Sequence, residues 1–382
     1  MTVQQLTNTS FTILADNLDN PKGLTFDPDG NLYVVEAGIG GDGASIPAPS
    51  GQGNLSYGSS GAICKIENGA AKRVLTGLPS VGFRDGTGAA GAHDIKFDAT
   101  GIAYVLLGFA ANPNFREHLG DTVLGKIITC DLSNNSHGYP SSIADIANYE
   151  VNNKVSSRDC EVVSNPLSLY VDNNNLVVVD AGRNAILRVN TDGSDLEKIA
   201  AIPDRILTNP IFPGAKSQNF DRGHVPAPSL SRSQAPPSQI SIQSVPTDVI
   251  KGVDGAYYVC EFTGFPFPEG GAKIYKIHAD GEIKVFADGF TQLIDMSFDA
   301  DGNLYVLQHM NKSGWKGKPD GALIRIAPNG DRTILMDGNG LESPSALTIG
   351  DDGAFYIINR GGNPGSGQVI RLENQKKISR FL

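Results

Sequence analysis

The 382 residues are 40% apolar, enough for a sizeable core, yet Gly 45 and Pro 22 make up about one residue in six. That punctuation, without a collagen-like or low-complexity period, predicts many short strands and many turns. A formal net charge of −10 excludes a partner held by phosphate neutralisation, whether nucleic acid or an anionic membrane surface.

From the N-terminus, Met1 to Ser10 has neither a basic nor an apolar signal region. The longest apolar run, Ile102 to Ala111, is about half of the ~20 residues of a membrane span and contains Gly108. The four cysteines, Cys64, Cys130, Cys160 and Cys260, form no C-x-x-C pair. Zinc-ribbon, thioredoxin-like and haem-attachment readings therefore fall away. Buried small side chains are the expectation, with a Cys130–Cys160 bridge left open.

A phrase then recurs six times along the chain: NPKGLTFDPDGNLYVVEAG, AHDIKFDATGIAYVLLG, NPLSLYVDNNNLVVVDAG, VPTDVIKGVDGAYYVCEFTG, QLIDMSFDADGNLYVLQH and SPSALTIGDDGAFYIINRG. Each copy is a pair of β-branched or aromatic runs joined by Asp-Gly or a variant, a strong hairpin signal. Third and fourth runs follow most copies, as in AICKIENG with AKRVLTGL. Four strands per unit predicts an all-β, six-bladed β-propeller spanning 1–382 as one domain.

The turn positions Gly30, Gly101, Asn174, Gly255, Gly302 and Gly353 lie 71, 73, 81, 47 and 51 residues apart. The long intervals hold a Gly-rich insertion (37–60), one expected to carry short helices (112–155) and a Pro/Ser-rich one (203–244). Too little chain follows Gln368–Leu372 for a fourth strand in the sixth unit. The run Phe11–Leu18 is the expected substitute, which removes two exposed edges at once.

A two-residue Asp-Gly turn at 254–255 pairs Asp248 with Glu261. The same rule sets Gly23 against Glu36, Asp94 against Leu107, Asp295 against Gln308, Ala346 against Asn359 and Ser168 near Asp180. On that register Glu36, Asp94, Asp180, Asp248, Glu261 and Asp295 ring one mouth of the channel. Crowded carboxylates raise a pKa or take up a cation. An oxygen-only ring suits Ca²⁺ before Mg²⁺ or Mn²⁺. A hydrated polar funnel, or acids paired with Lys22, Arg183 and Arg360, is the other reading.

His93 and His309 stand one residue from ring positions and His118 lies in the second blade's insertion, so all three are candidate acid/base groups or transition-metal ligands. Phe262, Phe265 and Phe267, with Trp315, are candidates to clamp a flat aromatic ligand or, equally, loop anchors. No EF-hand, P-loop, G-x-S-x-G or H-E-x-x-H pattern is present.

The segments VVEAGIGGDG, GAHDIKFD, GAYYVCEFTGFPFPEGGAKIYKI, QLIDMSFDADGNLYVL, GALIRIAPNG and IINRGGNPGSGQVIRL resemble, in order and spacing, the ScyD/ScyE family of cyanobacterial propeller proteins. The resemblance covers about 20–372, with EFTGFPFP its most specific piece. It implies a role in late biosynthesis of scytonemin, an indolic-phenolic pigment dimer, in the periplasm or outside the cell. The implied site is His93, Asp94, Glu261, Asp295 and Glu36, with Asp248 the least secure ligand.

The implied activity is metal-dependent oxidative coupling of the aromatic monomer, Glu261 and the histidines acting in catalysis and Arg360 in substrate binding. Dioxygen with a bound transition metal, or a substrate that readily auto-oxidises, would have to supply the electron acceptor, since no flavin, haem or iron–sulfur motif is visible. A non-catalytic pigment- or partner-binding propeller is the second expectation. A Ca²⁺-dependent lactonase-like hydrolase, by analogy of fold, is the third.

Overall fold

The computed structural model describes residues 4–5, 10–132, 141–153, 162–213 and 237–374. Within them the six hairpin phrases each open an antiparallel blade of four strands, to which blade 1 adds the short strand Ser45–Pro47 and blade 5 the short parallel strand Gln4–Gln5. The innermost strands are Pro21–Phe26, Ala92–Phe97, Pro166–Asp172, Pro246–Lys251, Leu293–Phe298 and Ala346–Ile349, in blades 1 to 6. The second strands are Leu32–Glu36, Ile102–Leu107, Asn175–Asp180, Tyr257–Glu261, Leu304–Gln308 and Phe355–Asn359.

Packing explains why these second strands are apolar on both faces. A blade stands between two neighbours, so its alternating side chains meet a different blade on each side. Six apolar clusters lie at the six blade–blade contacts. One joins Tyr258, Cys260 and Ile274 of blade 4 to Met296, Val306 and Ile324 of blade 5. Another joins Ala15 and Val369 of blade 6 to Val34 and Cys64 of blade 1. The latter depends on the expected closure: Phe11–Leu18 pairs antiparallel with Gly367–Leu372 as the outer strand of blade 6.

The insertions take the expected forms where they are described. In blade 1, Asn54–Glu67 and Ala70–Gly82 run on past the blade and pack Ile46, Leu55 and Val81 against Phe109 and Leu124 of blade 2. Short helices occur at Pro113–Leu119 and Ile146–Asn152. The third insertion contributes a hairpin, Arg205–Thr208 with Gln239–Ile242. Cys64, Cys130 and Cys260 are buried free thiols, and Cys160 lies outside the described residues.

The register differs from expectation by two separate one-residue effects. First, five of the six inner hairpins turn through three residues rather than two. In blade 4 the Gly252 and Gly255 amides donate to the Ala256 and Gly252 carbonyls, with Gly255 at φ 79. This is a type I turn followed by a left-handed residue, which the Asp-Gly pair also fits. Second, a bulge near the start of the inner strands of blades 1 to 5 absorbs one more residue. Asp248 therefore faces Cys260, and Glu261 faces Pro246.

Candidate active site

The inner strands, bulged in blades 1 to 5, place one aligned residue from each blade around the channel: Gly23, Asp94, Ser168, Asp248, Asp295 and Ala346. An inner strand has no partner on its channel side, so its amides need other acceptors. The three aspartates supply them across blade boundaries. Asp94 Oδ2 accepts from the Leu169 amide at 2.9 Å. Asp248 Oδ2 accepts from Met296 at 3.1 Å, and Asp295 Oδ2 from Leu347 at 2.9 Å. Each carboxyl thus tethers its blade to the next.

A lysine completes this cluster. Lys96 lies two residues after Asp94, on the same face of the strand, and its Nζ donates to Asp94 Oδ1 at 2.8 Å. Although 29% of the side chain stays exposed, burial acts on the ammonium. The charges of Asp94 and Asp295, with the Asp94 hydrogen bond and Asp248, outweigh it and raise the Lys96 pKa. Burial, above all, raises the Asp248 and Asp295 carboxyls, Asp295 well above the usual range.

Above this floor a funnel opens, enclosing about 840 Å³ with its solvent-open mouth included. Its walls include Lys22, His93, Asn165, Ser168, Thr247, His309 and Ser345. His93 Nδ1 lies 2.9 Å from the Pro166 carbonyl of blade 3, and His309 Nδ1 lies 2.9 Å from the Pro344 carbonyl that leads into blade 6. A carbonyl only accepts, so each Nδ1 carries the proton and each Nε2 the lone pair.

Both imidazoles are held neutral, with pKa values lowered to about 4. Burial is the main cause at each. At His93 the Lys22 ammonium adds to it and the Pro166 bond opposes it. At His309 the Pro344 bond opposes it and Lys22 again lowers the value. Gly108 is essential to this arrangement: a Cβ there would lie 2.0 Å from the His93 ring. Blades 2 and 5 are half a ring apart, so the two imidazoles address the funnel from opposite sides.

Five of the expected site residues therefore come together: His93, Asp94, Asp248, Asp295 and His309. The others do not. Glu36, fully buried, is gripped by Arg73 through Nε at 2.7 Å and Nη2 at 2.8 Å, and accepts from the Asp19 amide. Glu261, also fully buried, accepts from Arg205 Nη1 at 2.6 and 2.8 Å, from Ser244 Oγ at 2.6 Å and from Tyr275 at 3.1 Å.

Asp180, Gln308 and Asn359 stand at the same strand position and accept from the amides of Asn165, Thr291 and Glu342 at 2.7 Å. These second-strand ends latch the chain as it crosses from one blade to the next, rather than lining the axis. The two register shifts are the reason: they move the acids out of the channel and set them opposite the leading prolines Pro21, Pro166 and Pro246.

This leaves a poor shell for a hard cation. Lys96 occupies the ground among the three remaining aspartates, whose oxygens already accept from backbone amides, Ser168 and Lys96 itself. Among the described residues no three His, Cys, Asp or Glu side chains form a metal-holding group. The donor set does not fit the expected Ca²⁺, Mg²⁺, Mn²⁺ or transition-metal site.

The remaining corrections concern the loops. His118 is exposed on the short helix of blade 2, with Nδ1 3.2 Å from the Phe115 carbonyl. Phe262 and Phe267 are buried and pack edge-on at 5.9 Å, and Phe265 packs on Phe267 at the same distance. Phe262 contacts the His309 ring at 5.6 Å between centroids. Trp315 Nε1 donates to the Pro266 carbonyl at 2.9 Å. The aromatic side chains are loop anchors. Arg360 pairs with Glu342 at 2.9 Å and lines a separate rim pocket with Lys318 and Asn363.

Sequence reasoning missed Lys96, which same-face spacing from Asp94 would have revealed, and Gly108, whose role depends on the His93 rotamer. It placed Lys22 only as a rim charge. Lys22 in fact lines the funnel, its Nζ 3.1 Å from the Gly361 carbonyl.

No family model and no curated protein matches this chain. Solved structures do. A putative oxidoreductase (glucose dehydrogenase) of Thermus thermophilus is 14% identical, with TM-score 0.53, over 96% of this chain and 100% of that one. A streptogramin B lyase is 13% identical, with TM-score 0.47, over 96% and 98%. A putative gluconolactonase is 12% identical, with TM-score 0.46, over 97% and 94%. The likeness is one of fold. The six blades themselves are seen in the strand pairing, and the chemistry has to come from the funnel itself.

Proposed function

We propose that this propeller is an enzyme that binds a small phenolic or carbonyl compound in its central funnel and removes a proton from it. The observation that carries this reading is the pair of neutral imidazoles, anchored through Nδ1 on Pro166 and Pro344, in a funnel that also holds the Lys22 ammonium. A neutral imidazole is the form that accepts a proton at physiological pH. His93 Nε2 is the base, and Lys22 stabilises the oxyanion that deprotonation leaves.

The resemblance to the ScyD/ScyE sequences supports a finer reading. The scytonemin monomer carries both a phenol and a carbonyl group, and a phenolate gives up electrons more readily than its phenol. Binding and ionising two monomers would prepare them for oxidative coupling with dioxygen as the electron acceptor. The protein contributes orientation and deprotonation, and no metal enters the scheme.

The test uses the purified full chain, the scytonemin monomer and air. Monomer loss and dimer formation are followed by chromatography, beside calorimetric binding and a lactone panel. Turnover that survives EDTA and falls at least 100-fold in His93→Gln, with binding retained, supports the reading. Binding without turnover by the unmodified protein overturns it in favour of a binding module, and lactone cleavage overturns it in favour of a hydrolase.

A further inference from the structure

We propose that Asp248 and Asp295 share one proton at neutral pH and act as the acid of the funnel, opposite the His93 base. The catalytic half of this proposal rests on the function proposed above, whereas the shared proton rests on geometry alone.

That geometry is set by one amide. Met296 N–H points at Asp248 Oδ2 (3.1 Å) and at Asp295 Oδ1 (2.6 Å). Two carboxyl groups on adjacent blades are thereby drawn onto a single donor. Two carboxylates this close in a buried site do not both stay ionised.

The surroundings agree. Blade 2 supplies Lys96 and Asp94, already paired with each other at 2.8 Å. Blade 3 supplies the Ser168 hydroxyl, which donates to Asp248 Oδ1 at 2.6 Å. Blade 6 supplies the Leu347 amide to Asp295 Oδ2. The Cys260 thiol, paired across the strands with Asp248, is itself held protonated by burial and by these acids. One ammonium thus stands among three carboxyls, and a single shared proton cuts the excess to one negative charge.

Asp295 is the less buried of the pair and lines the funnel. Its blade stands half a ring from that of His93. The exchange is balanced: a C–H or O–H proton of the substrate passes to His93 Nε2, and the pair's proton passes to a substrate carbonyl oxygen. No electrons leave the substrate, and both groups reset by exchange with water. The substrate class this selects is an enolisable carbonyl compound with its acidic hydrogen and its oxygen on opposite sides.

Infrared difference spectroscopy on the full chain tests the pair without any substrate. At pH 7 the unmodified protein should show a protonated-carboxyl C=O band that shifts in D₂O and is lost on alkaline titration. Asp248→Asn and Asp295→Asn should each abolish it, because a lone carboxyl beside Lys96 ionises. Should either variant fail to fold, Ser168→Ala remains. It removes a donor to the ionised form, so the band's titration midpoint should rise, and with it the alkaline limb of the rate profile.

A neutral-pH spectrum without the band, or a band that survives both Asn substitutions or is unmoved in Ser168→Ala, overturns the proposal. A band that behaves as expected in a protein that neither binds nor turns over carbonyl compounds leaves the shared proton standing and removes the function proposed above.

Discussion

Acidification should reveal the neutral imidazoles as a loss of stability. An imidazole with an unfolded value of about 6.5 and a folded value of about 4 binds its proton first in the unfolded chain. Stability is therefore present in full above about pH 7 and lost as pH falls toward 4. Between pH 8 and pH 5 the linkage integral gives about 2 kcal/mol for each histidine, or about 4 kcal/mol for the pair. Asp248 and Asp295, whose carboxyls are raised, respond in the opposite sense and gain stability on acidification. Comparison with His93→Gln and His309→Gln cancels that contribution. The assay is urea unfolding at pH 8, 7, 6 and 5, read as ΔG against pH. Each single variant should lose about 2 kcal/mol of pH-dependent difference, whatever its absolute stability. Variant curves that run parallel to the unmodified protein would show that neither imidazole is held neutral, and the assignment of His93 as base would go with them.

Three further outcomes are expected. Lys96→Met takes a cation from among three carboxyls. With Lys96 partly exposed, it should cost about 2 kcal/mol at pH 7 by urea unfolding, a deficit that shrinks on acidification as the raised carboxyls of Asp248 and Asp295 take up protons. Arg205→Ala strands the fully buried Glu261 and should cost about 3 kcal/mol, much of it recovered in the Arg205→Ala/Glu261→Gln double variant, as a double-mutant cycle would measure. Gly108→Ala drives a methyl group into the His93 ring. It should cost about 1–3 kcal/mol and abolish turnover on the panel, while Gly255→Ala, whose Cβ meets nothing, loses only turn stability.

The architecture was legible because six copies of one hairpin phrase oblige their strands to find six equivalent surroundings. The unmatched run Phe11–Leu18 then had an obvious place. Register was not legible. A three-residue turn and a two-residue turn both accept Asp-Gly, and a bulge leaves no mark in composition. Two one-residue shifts sufficed to move Glu36 and Glu261 from the axis to the blade crossings. Their partners came from distant chain: Arg73 lies 37 residues beyond Glu36, and Arg205 lies 56 residues before Glu261 in an insertion with no repeat to align it. The aspartates of the inner strands survived these shifts because all of blades 1 to 5 carry the same bulge, which displaces the ring residues together.

The two histidines show how a repeat builds a site by breaking its own pattern. The residue just after each second strand is a hinge point whose amide returns to the preceding crossing: His309 donates to the Gln292 carbonyl and Gly108 to the Gly91 carbonyl. In blade 5 that residue is itself the imidazole. In blade 2 it is a glycine, and the imidazole comes instead from the inner strand, lying over the space the glycine leaves. Two inequivalent sequence positions thus deliver rings that make the same bond, Nδ1 to the carbonyl of a proline leading into the next blade. Packing alone would be satisfied by an apolar residue here, as Phe262 demonstrates at the same position in blade 4. Opposed blades thus reach one tautomer by separate routes, each set by the proline carbonyl that its Nδ1 meets.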